Sequence, residues 1–211
     1  MLIDPGVAAA FCLAAVVMAL IPGPDMLFIT ATGLASGPRA GALAAAGVSA
    51  GLAVHTAAAA LGLGALLQAF PTAFNVVRIL GAAYLVYLAV TAFRAARSAT
   101  GETFAPGRPL PARRILARAA LTNLANPKVI AFYLAFFPQF IDPARGNVTA
   151  QFLVLGLLFI VVDLIIDGAF GLLAGRLGDF VRRRPSVQRW LHRVSGTVFA
   201  ALAVRLAADV R

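Results

Sequence analysis

Charged residues are scarce in this sequence, and those present are mostly arginines. Only 12% of the 211 residues are charged, whereas 61% are hydrophobic, and the mean hydropathy is +0.90. Soluble domains carry about 25% charged residues. The scarcity of charge therefore excludes a water-soluble core and predicts an all-α protein embedded in a lipid bilayer.

Cysteine and basic N-terminal residues are also lacking. The single Cys12 can form no internal disulfide and no cysteine-based metal site. Residues 1–6 contain Asp4 but no lysine or arginine, unlike the start of a secretory signal peptide, so the first apolar segment is expected to be retained. No nucleotide-binding motif is found, so ATP is not expected as the direct energy source.

Six apolar segments are long enough to cross a hydrocarbon core of about 30 Å. They cover residues 7–34, 41–67, 72–93, 116–141, 150–173 and 191–208. The sequence therefore predicts one transmembrane domain over residues 1–211, with a basic loop at about residues 94–118.

The arginines indicate the orientation of these spans. Thirteen fall on one side of the membrane and four on the other. Because basic short loops stay in the cytoplasm, both termini are expected outside it, in the inner membrane of a bacterium. A net charge of +10 is also typical of nucleic-acid binding, but these arginines separate apolar segments and form no stripe with aromatic residues. No nucleic-acid partner is expected.

The two halves of the chain share three features in the same order. They are Gly23-Pro24-Asp25 with Asn126-Pro127-Lys128, Gly37-Pro38 with Asp142-Pro143, and the run from Arg78 to Tyr84 with the run from Arg193 to Phe199. Since each half contains three predicted spans, the second copy would enter from the opposite side. This predicts an inverted repeat of about residues 1–97 and 112–211.

Proline interrupts the first and fourth predicted spans at corresponding positions. Pro24 and Pro127 each remove a backbone donor, and unsatisfied backbone groups are tolerated in a bilayer only where they face protein or water. We therefore predict two broken helices whose interruptions point inward. The next residue is Asp25 in one half and Lys128, the only lysine of the chain, in the other.

These interruptions suggest a site for a zwitterionic amino acid. Its ammonium would meet Asp25, and its carboxylate would meet Lys128 and the free N–H groups of the half-helices. The alternatives are a fixed Asp25–Lys128 salt bridge and a purely structural kink. The predicted substrate-binding residues are Gly23, Pro24, Asp25, Asn126, Pro127 and Lys128.

Three further titratable residues are candidates for coupling transport to an ion gradient. Asp163 and Asp167 lie four apart on one face of the fifth span, and His55 lies in the second. Carboxyl groups within membranes serve in proton relays. The alternatives are an Asp167 that pairs with arginine near an interface and a His55 that only bonds between helices.

Two Gly-x-x-x-Gly motifs, Gly47 to Gly51 and Gly171 to Gly175, predict close helix packing. The packing would occur between the two halves or between subunits of a homo-oligomer.

Several stretches together resemble the LysE/RhtB translocators, over nearly the whole chain. They are Pro22-Gly23-Pro24-Asp25, Gly47 to His55, Gly81 to Leu85, Leu121 to Lys128 and Phe137 to Phe140. The resemblance implies export of amino acids or derivatives such as threonine, homoserine, leucine or basic amino acids, driven by the membrane potential or a proton gradient. The motif positions of the family fall on Pro22, Gly23, Pro24, Asp25, Asn126, Pro127 and Lys128.

Two other functions fit parts of the pattern. A metal exporter would use Asp25, Asp163, Asp167 and His55 as ligands, although the ammonium of Lys128 would repel a metal ion. An intramembrane enzyme would need a nucleophile and a base, for which Ser49 and His55 are available without an evident third member. The favoured prediction is a secondary exporter that is not an enzyme and holds neither metal nor cofactor.

Overall fold

The computed structural model describes residues 2–63, 110–174 and 185–208, with scattered helical positions between 79 and 97. All regular elements in these ranges are helical, as expected. The predicted third span, the run from Arg78 to Tyr84 and most of the basic loop lie outside the continuously described ranges.

The first part of the chain forms three helices. Helix α1 (Pro5–Leu20) begins after Asp4, whose side chain accepts a hydrogen bond from the Gly6 amide. Helix α2 (Pro24–Ser36) follows the interruption at residues 21–23 and is bent by 56° from α1. Helix α3 (Pro38–Ala58) continues as a π-helical turn, Ala59–Leu63.

The second part of the chain begins with short helical pieces and ends with two long helices. Helix α4 (Ala112–Leu124) ends two residues before α5 (Pro127–Ala131) begins. A π-helical turn (Phe132–Phe136) and the 3-10 turns Phe137–Phe140 and Pro143–Arg145 lead to α6 (Val148–Leu172), and α7 (Pro185–Ala208) is the last described helix. The predicted breaks at Pro24 and Pro127 are thus confirmed, and both prolines start helices because their fixed φ suits the first helical position.

Two of the described helices are long and apolar enough to cross a membrane. They cover Pro38–Gly62 and Val148–Leu172, and the bent pair α1 and α2 makes a third if it is one broken span. These helices correspond to the predicted second, fifth and first spans. The count of six and the inverted repeat stay predictions.

Glycines let α3 pack closely against α4 and α6. A Cβ at Gly51 would lie 2.6 Å from Oδ1 of Asn123 on α4, and Gly41 meets the backbone of Gly171 on α6. The predicted role of Gly47, Gly51 and Gly171 in close packing is therefore confirmed within one chain, between the predicted halves. Gly175 lies outside the described residues.

Aromatic rings anchor the irregular segment that follows α5. Phe11 of α1 lies 5.0 Å from Phe137 between ring centroids, and Phe137 stacks at 5.4 Å on Phe152 of α6. All three side chains are fully buried. This packing holds the segment after Lys128 between α1 and α6, and so positions the second interruption against the first.

Candidate functional site

The two helix interruptions meet in the interior of the described structure. Gly23, which precedes α2, faces the side chains that surround the start of α5: a Cβ at Gly23 would lie 3.5 Å from Nζ of Lys128 and 3.6 Å from Nδ2 of Asn126. Gly23, Asp25, Asn126 and Lys128, which lie about a hundred residues apart in sequence, therefore share one site.

Asp25 is buried and held through one of its two carboxylate oxygens. Oδ2 accepts hydrogen bonds from the side-chain amides of Asn126 (2.6 Å) and Asn123 (3.0 Å). Oδ1 is buried and has no hydrogen-bond partner among the residues that the structure describes. Because a carboxylate can accept on both oxygens, Asp25 retains acceptor capacity that is directed into the protein and is not used by the described residues.

Lys128 binds backbone carbonyl oxygens at the C-terminal end of α1. Its Nζ donates to the carbonyl oxygens of Met18 and Ile21, each at 3.0 Å. The interruption at residues 21–23 deprives the last carbonyls of α1 of helical partners, and the ammonium satisfies two of them. An ammonium has three N–H donors, so one remains available.

Asp25 and Lys128 do not form the fixed salt bridge that was one alternative. Both residues are described, and no nitrogen–oxygen pair between them lies within 4.0 Å. They nevertheless interact electrostatically at longer range. The negative and positive groups are thus near each other but bound to different partners.

The two helix starts differ in how their N–H groups are satisfied. Asn126 caps α5, because its Oδ1 accepts from the amide of Lys128 at 3.0 Å. At α2 the preceding residue is Gly23, which has no side chain to act as a cap. Of these two starts, only that of α5 has a capping side chain, and the N–H groups at the start of α2 lack one.

Asp163 and Asp167 lie on one face of α6 and are both buried, at 6% and 3% exposure. Asp163 interacts electrostatically with Lys128 and Asp25, and Asp167 interacts with the same groups and with Asp163. Within the described part of the chain, Oδ2 of Asp163 is buried without a hydrogen-bond partner. Asp167 forms no ion pair with an arginine among the described residues, and its position relative to the membrane interface stays a prediction.

His55 lies beside this cluster, half-buried on α3. Its Nε2 is 3.5 Å from the backbone oxygen of Asn123, and its ring stacks on Tyr133 with centroids 5.3 Å apart. The Tyr133 hydroxyl donates to the carbonyl of Leu52 at 3.2 Å and is hydrogen bonded to the Thr56 hydroxyl at 2.7 Å. His55 therefore lies between Asn123, which belongs to the polar cluster of Asp25, Asn123, Asn126 and Lys128, and the aromatic ring of Tyr133.

The sequence analysis missed Asn123 as a site residue, although it lies in the stretch that carries the resemblance. Asn123 is 1% exposed, and its Oδ1 has no hydrogen-bond partner. The sequence could have indicated Asn123, because its amide side chain lies three residues before Asn126 in an otherwise apolar span. A buried amide in lipid needs a hydrogen-bond partner. Pro24 and Pro127, by contrast, start helices, and Pro127 is exposed.

The alternatives involving a metal or a nucleophile gain no support from the described residues. Within the described ranges, no three histidine, cysteine, aspartate or glutamate side chains converge as metal ligands. The Ser49 hydroxyl donates to the carbonyl of Ala45 at 3.2 Å, one turn earlier in α3. It is thus engaged within its own helix.

Comparison with known proteins identifies the family. The LysE type translocator family matches residues 16–210. The chain is 34% identical to the homoserine/homoserine lactone efflux protein of Salmonella typhi, over 94% of each chain. It is 36% identical to the leucine efflux protein of Klebsiella pneumoniae subsp. pneumoniae, over 93% of this chain and 92% of that one.

A third relative is a membrane protein of Vibrio cholerae serotype O1, 36% identical over 94% of this chain and 95% of that one. No solved structure matches the chain significantly. A family match over most of the sequence, joined by efflux proteins of nearly equal length, shows that this chain belongs to the LysE type translocators, which are transport proteins and not enzymes.

Proposed function

We propose that this protein exports amino acids or their derivatives from the bacterial cytoplasm, with the substrate bound between the two broken helices. The family and its amino-acid efflux relatives support amino-acid export. The observation that carries the binding site is the buried Asp25, whose Oδ1 has no partner while Oδ2 is held by two amides.

The chemistry of this cluster suits a zwitterion. The free acceptors Oδ1 of Asp25 and Oδ1 of Asn123 belong to hydrogen-bonded neighbours and would receive the substrate ammonium. The remaining N–H of Lys128 and the uncapped start of α2 would donate to the substrate carboxylate. Each charged group of the substrate would thus exchange its water of hydration for protein groups that are already fixed in position.

The proposed architecture has six spans in two inverted halves that alternate access by rocking against each other. The paired interruptions support it, as does the contact between the N-terminus and the segment after the 3-10 turns: Arg145 lies 3.5 Å from Asp4. These two segments must lie on the same side of the membrane if four spans separate them. The arginine distribution supports a position of that side outside the cytoplasm.

We further propose that Asp163 and Asp167 couple export to proton entry across the inner membrane. Three buried carboxyl groups interact electrostatically with one ammonium, and a zwitterionic substrate carries no net charge that would balance the excess of carboxyl groups. A proton that enters on one of the α6 carboxyls would restore the balance in each cycle. His55, adjacent to Asn123, is the other candidate for this role.

Export by the wild type and an Asp25→Asn variant tests the binding site. Membrane vesicles preloaded with radiolabelled amino acids should release one or more of them only when the wild-type protein is present. The isosteric variant keeps the volume of the side chain but removes the charge that would hold the ammonium. Release by Asp25→Asn at the wild-type rate, with equal amounts of protein in the membrane, would refute the site.

Coupling is tested with Asp163→Asn and Asp167→Asn in proteoliposomes. We expect these variants to exchange labelled for unlabelled substrate, because the substrate site is intact, and to lose net transport driven by a proton gradient. The Arg145→Gln variant, altered at an exposed ion pair, serves as the control. Proton-driven transport that persists in both aspartate variants would exclude them as the coupling groups.

A further inference from the structure

A cavity of about 380 Å³ lies between the two π-helical turns, next to the polar cluster. The turn Ala59–Leu63 contributes Ala59 and Gly62, and the turn Phe132–Phe136 contributes Tyr133 and Leu134. π-Helical turns are rare and occur frequently at functional sites. Here two of them face one cavity, and its volume falls within the range of small-molecule sites.

The cavity borders the residues that form the site proposed for the charged groups of the substrate. His55 lines it and also lies 3.5 Å from the backbone oxygen of Asn123, whose side chain is bonded to Asp25. Ile130, another lining residue, donates its amide to the backbone oxygen of Asn126 at 3.0 Å. One wall of the cavity is thus built on the residues that hold Asp25.

Apart from the imidazole of His55, the cavity is lined by aliphatic groups and the aromatic ring of Tyr133. The hydroxyl of Tyr133 is already engaged by Leu52 and Thr56, which fixes the ring as an aromatic wall. None of the described lining residues carries a carboxylate that would neutralise a cationic side chain. A lysine or arginine side chain would therefore lose its hydration there without gaining a partner.

We propose that this cavity is the side-chain subsite of the exporter and admits uncharged aliphatic side chains, with Gly62 and Leu134 setting the upper size. The inference rests on the proposed function, because it presumes that the ammonium and carboxylate are held at Asp25 and Lys128. The subsite adds residues that select among amino acids. Asp25 and Lys128 cannot select among them, because every amino acid carries the same ammonium and carboxylate groups.

Gly62 offers a way to fill the cavity without disturbing the fold. A Cβ at Gly62 would meet nothing within 4 Å, so a leucine side chain there has room to extend into the cavity. We expect Gly62→Leu to lower leucine release about tenfold relative to alanine release from preloaded vesicles, since one or two methylenes in a fitted pocket produce effects of this size. Gly168→Leu is the matched control, because a Cβ there also meets nothing within 4 Å and the residue is on α6, away from the cavity lining.

Leu134→Ala provides the opposite change. Leu134 lines the cavity and is 45% exposed, so its truncation should cost little stability and should raise phenylalanine release relative to alanine release. An unchanged leucine-to-alanine ratio in Gly62→Leu and an unchanged phenylalanine-to-alanine ratio in Leu134→Ala would overturn the subsite. Lysine release at the alanine rate by the wild type would also overturn it. A wild type that releases no amino acid at all would instead refute the proposed function.

Discussion

The two helix interruptions are related in sequence but differ in what they provide. The first, between α1 and α2, presents a carboxylate, two backbone carbonyls that accept from Lys128, and a helix start without a side-chain cap. The second, between α4 and α5, presents an ammonium and an amide, and caps its own helix with Asn126. The second interruption therefore donates most of the hydrogen bonds that the first one needs.

This asymmetry shows how a pair of broken helices can satisfy its backbone groups within the protein and still leave side-chain acceptors unoccupied among the described residues. Backbone groups freed by proline in a membrane must find partners within the protein. At the first interruption the partner is Lys128, which comes from the other half of the chain. Among the described residues, the buried side-chain atoms of this site that lack a hydrogen-bond partner include the acceptors Oδ1 of Asp25 and Oδ1 of Asn123. The contacts that stabilise the first interruption thus also leave a carboxylate oxygen free among the described residues, as the proposed ammonium site requires.

Removal of the Lys128 ammonium should have the largest effect on this pairing. Lys128→Met leaves the carbonyls of Met18 and Ile21 without their donor, and each buried carbonyl left unsatisfied costs about 1–3 kcal/mol. We expect both loss of export and a clearly lower unfolding temperature in detergent. Arg145→Met, which removes a cation from an exposed ion pair, should change the unfolding temperature little. Equal unfolding temperatures of the two variants would contradict a stabilising role of the Lys128 hydrogen bonds to Met18 and Ile21.

Substitution of Asn126 should separate its two roles. Asn126→Ala removes both the cap of α5 and a hydrogen bond to Asp25, and loss of a cap alone costs about 1 kcal/mol. Asn126→Asp retains an oxygen that can cap the helix but places a carboxylate against Asp25. We expect the alanine variant to lose stability and the aspartate variant to lose more substrate affinity, measured as KM for export. Identical profiles for the two variants would show that the cap and the Asp25 contact are not separable.

The smallest effect is expected at Gly23. A Cβ there would lie 3.4 Å from Cε of Lys128, an ordinary contact distance, and the φ angle of −145° suits any residue. Gly23→Ala should therefore change the free energy of unfolding by less than about 0.5 kcal/mol. Gly51→Ala, by contrast, would press on Asn123 and should destabilise the protein, as circular dichroism during heating would report. Severe destabilisation by Gly23→Ala would mean that the two interruptions pack more tightly than their contacts indicate.

The broken helices were predictable from the sequence because proline acts locally. Pro24 and Pro127 lack the amide hydrogen wherever they stand, so the interruptions follow from residue type alone. The burial of Asp163, Asp167 and Asp25 followed as well, since a charged group in an apolar span must face protein or water. The hydrogen-bond partners did not follow. Lys128 was expected to face Asp25 but binds backbone carbonyls, which every residue carries and no sequence pattern marks.

The sequence by itself determined that this chain is an apolar helical membrane protein with two proline-broken segments and an unusual set of buried charges. Hydropathy and proline chemistry are properties of the residues themselves, and they act whatever the neighbours are. The tertiary structure alone decided that Asn123 donates to Asp25, that Lys128 binds carbonyl oxygens at the end of α1, and that two π-helical turns line an open cavity beside His55. These features depend on which surfaces the helices present to one another, because a hydrogen bond or a cavity exists only between groups that packing brings together.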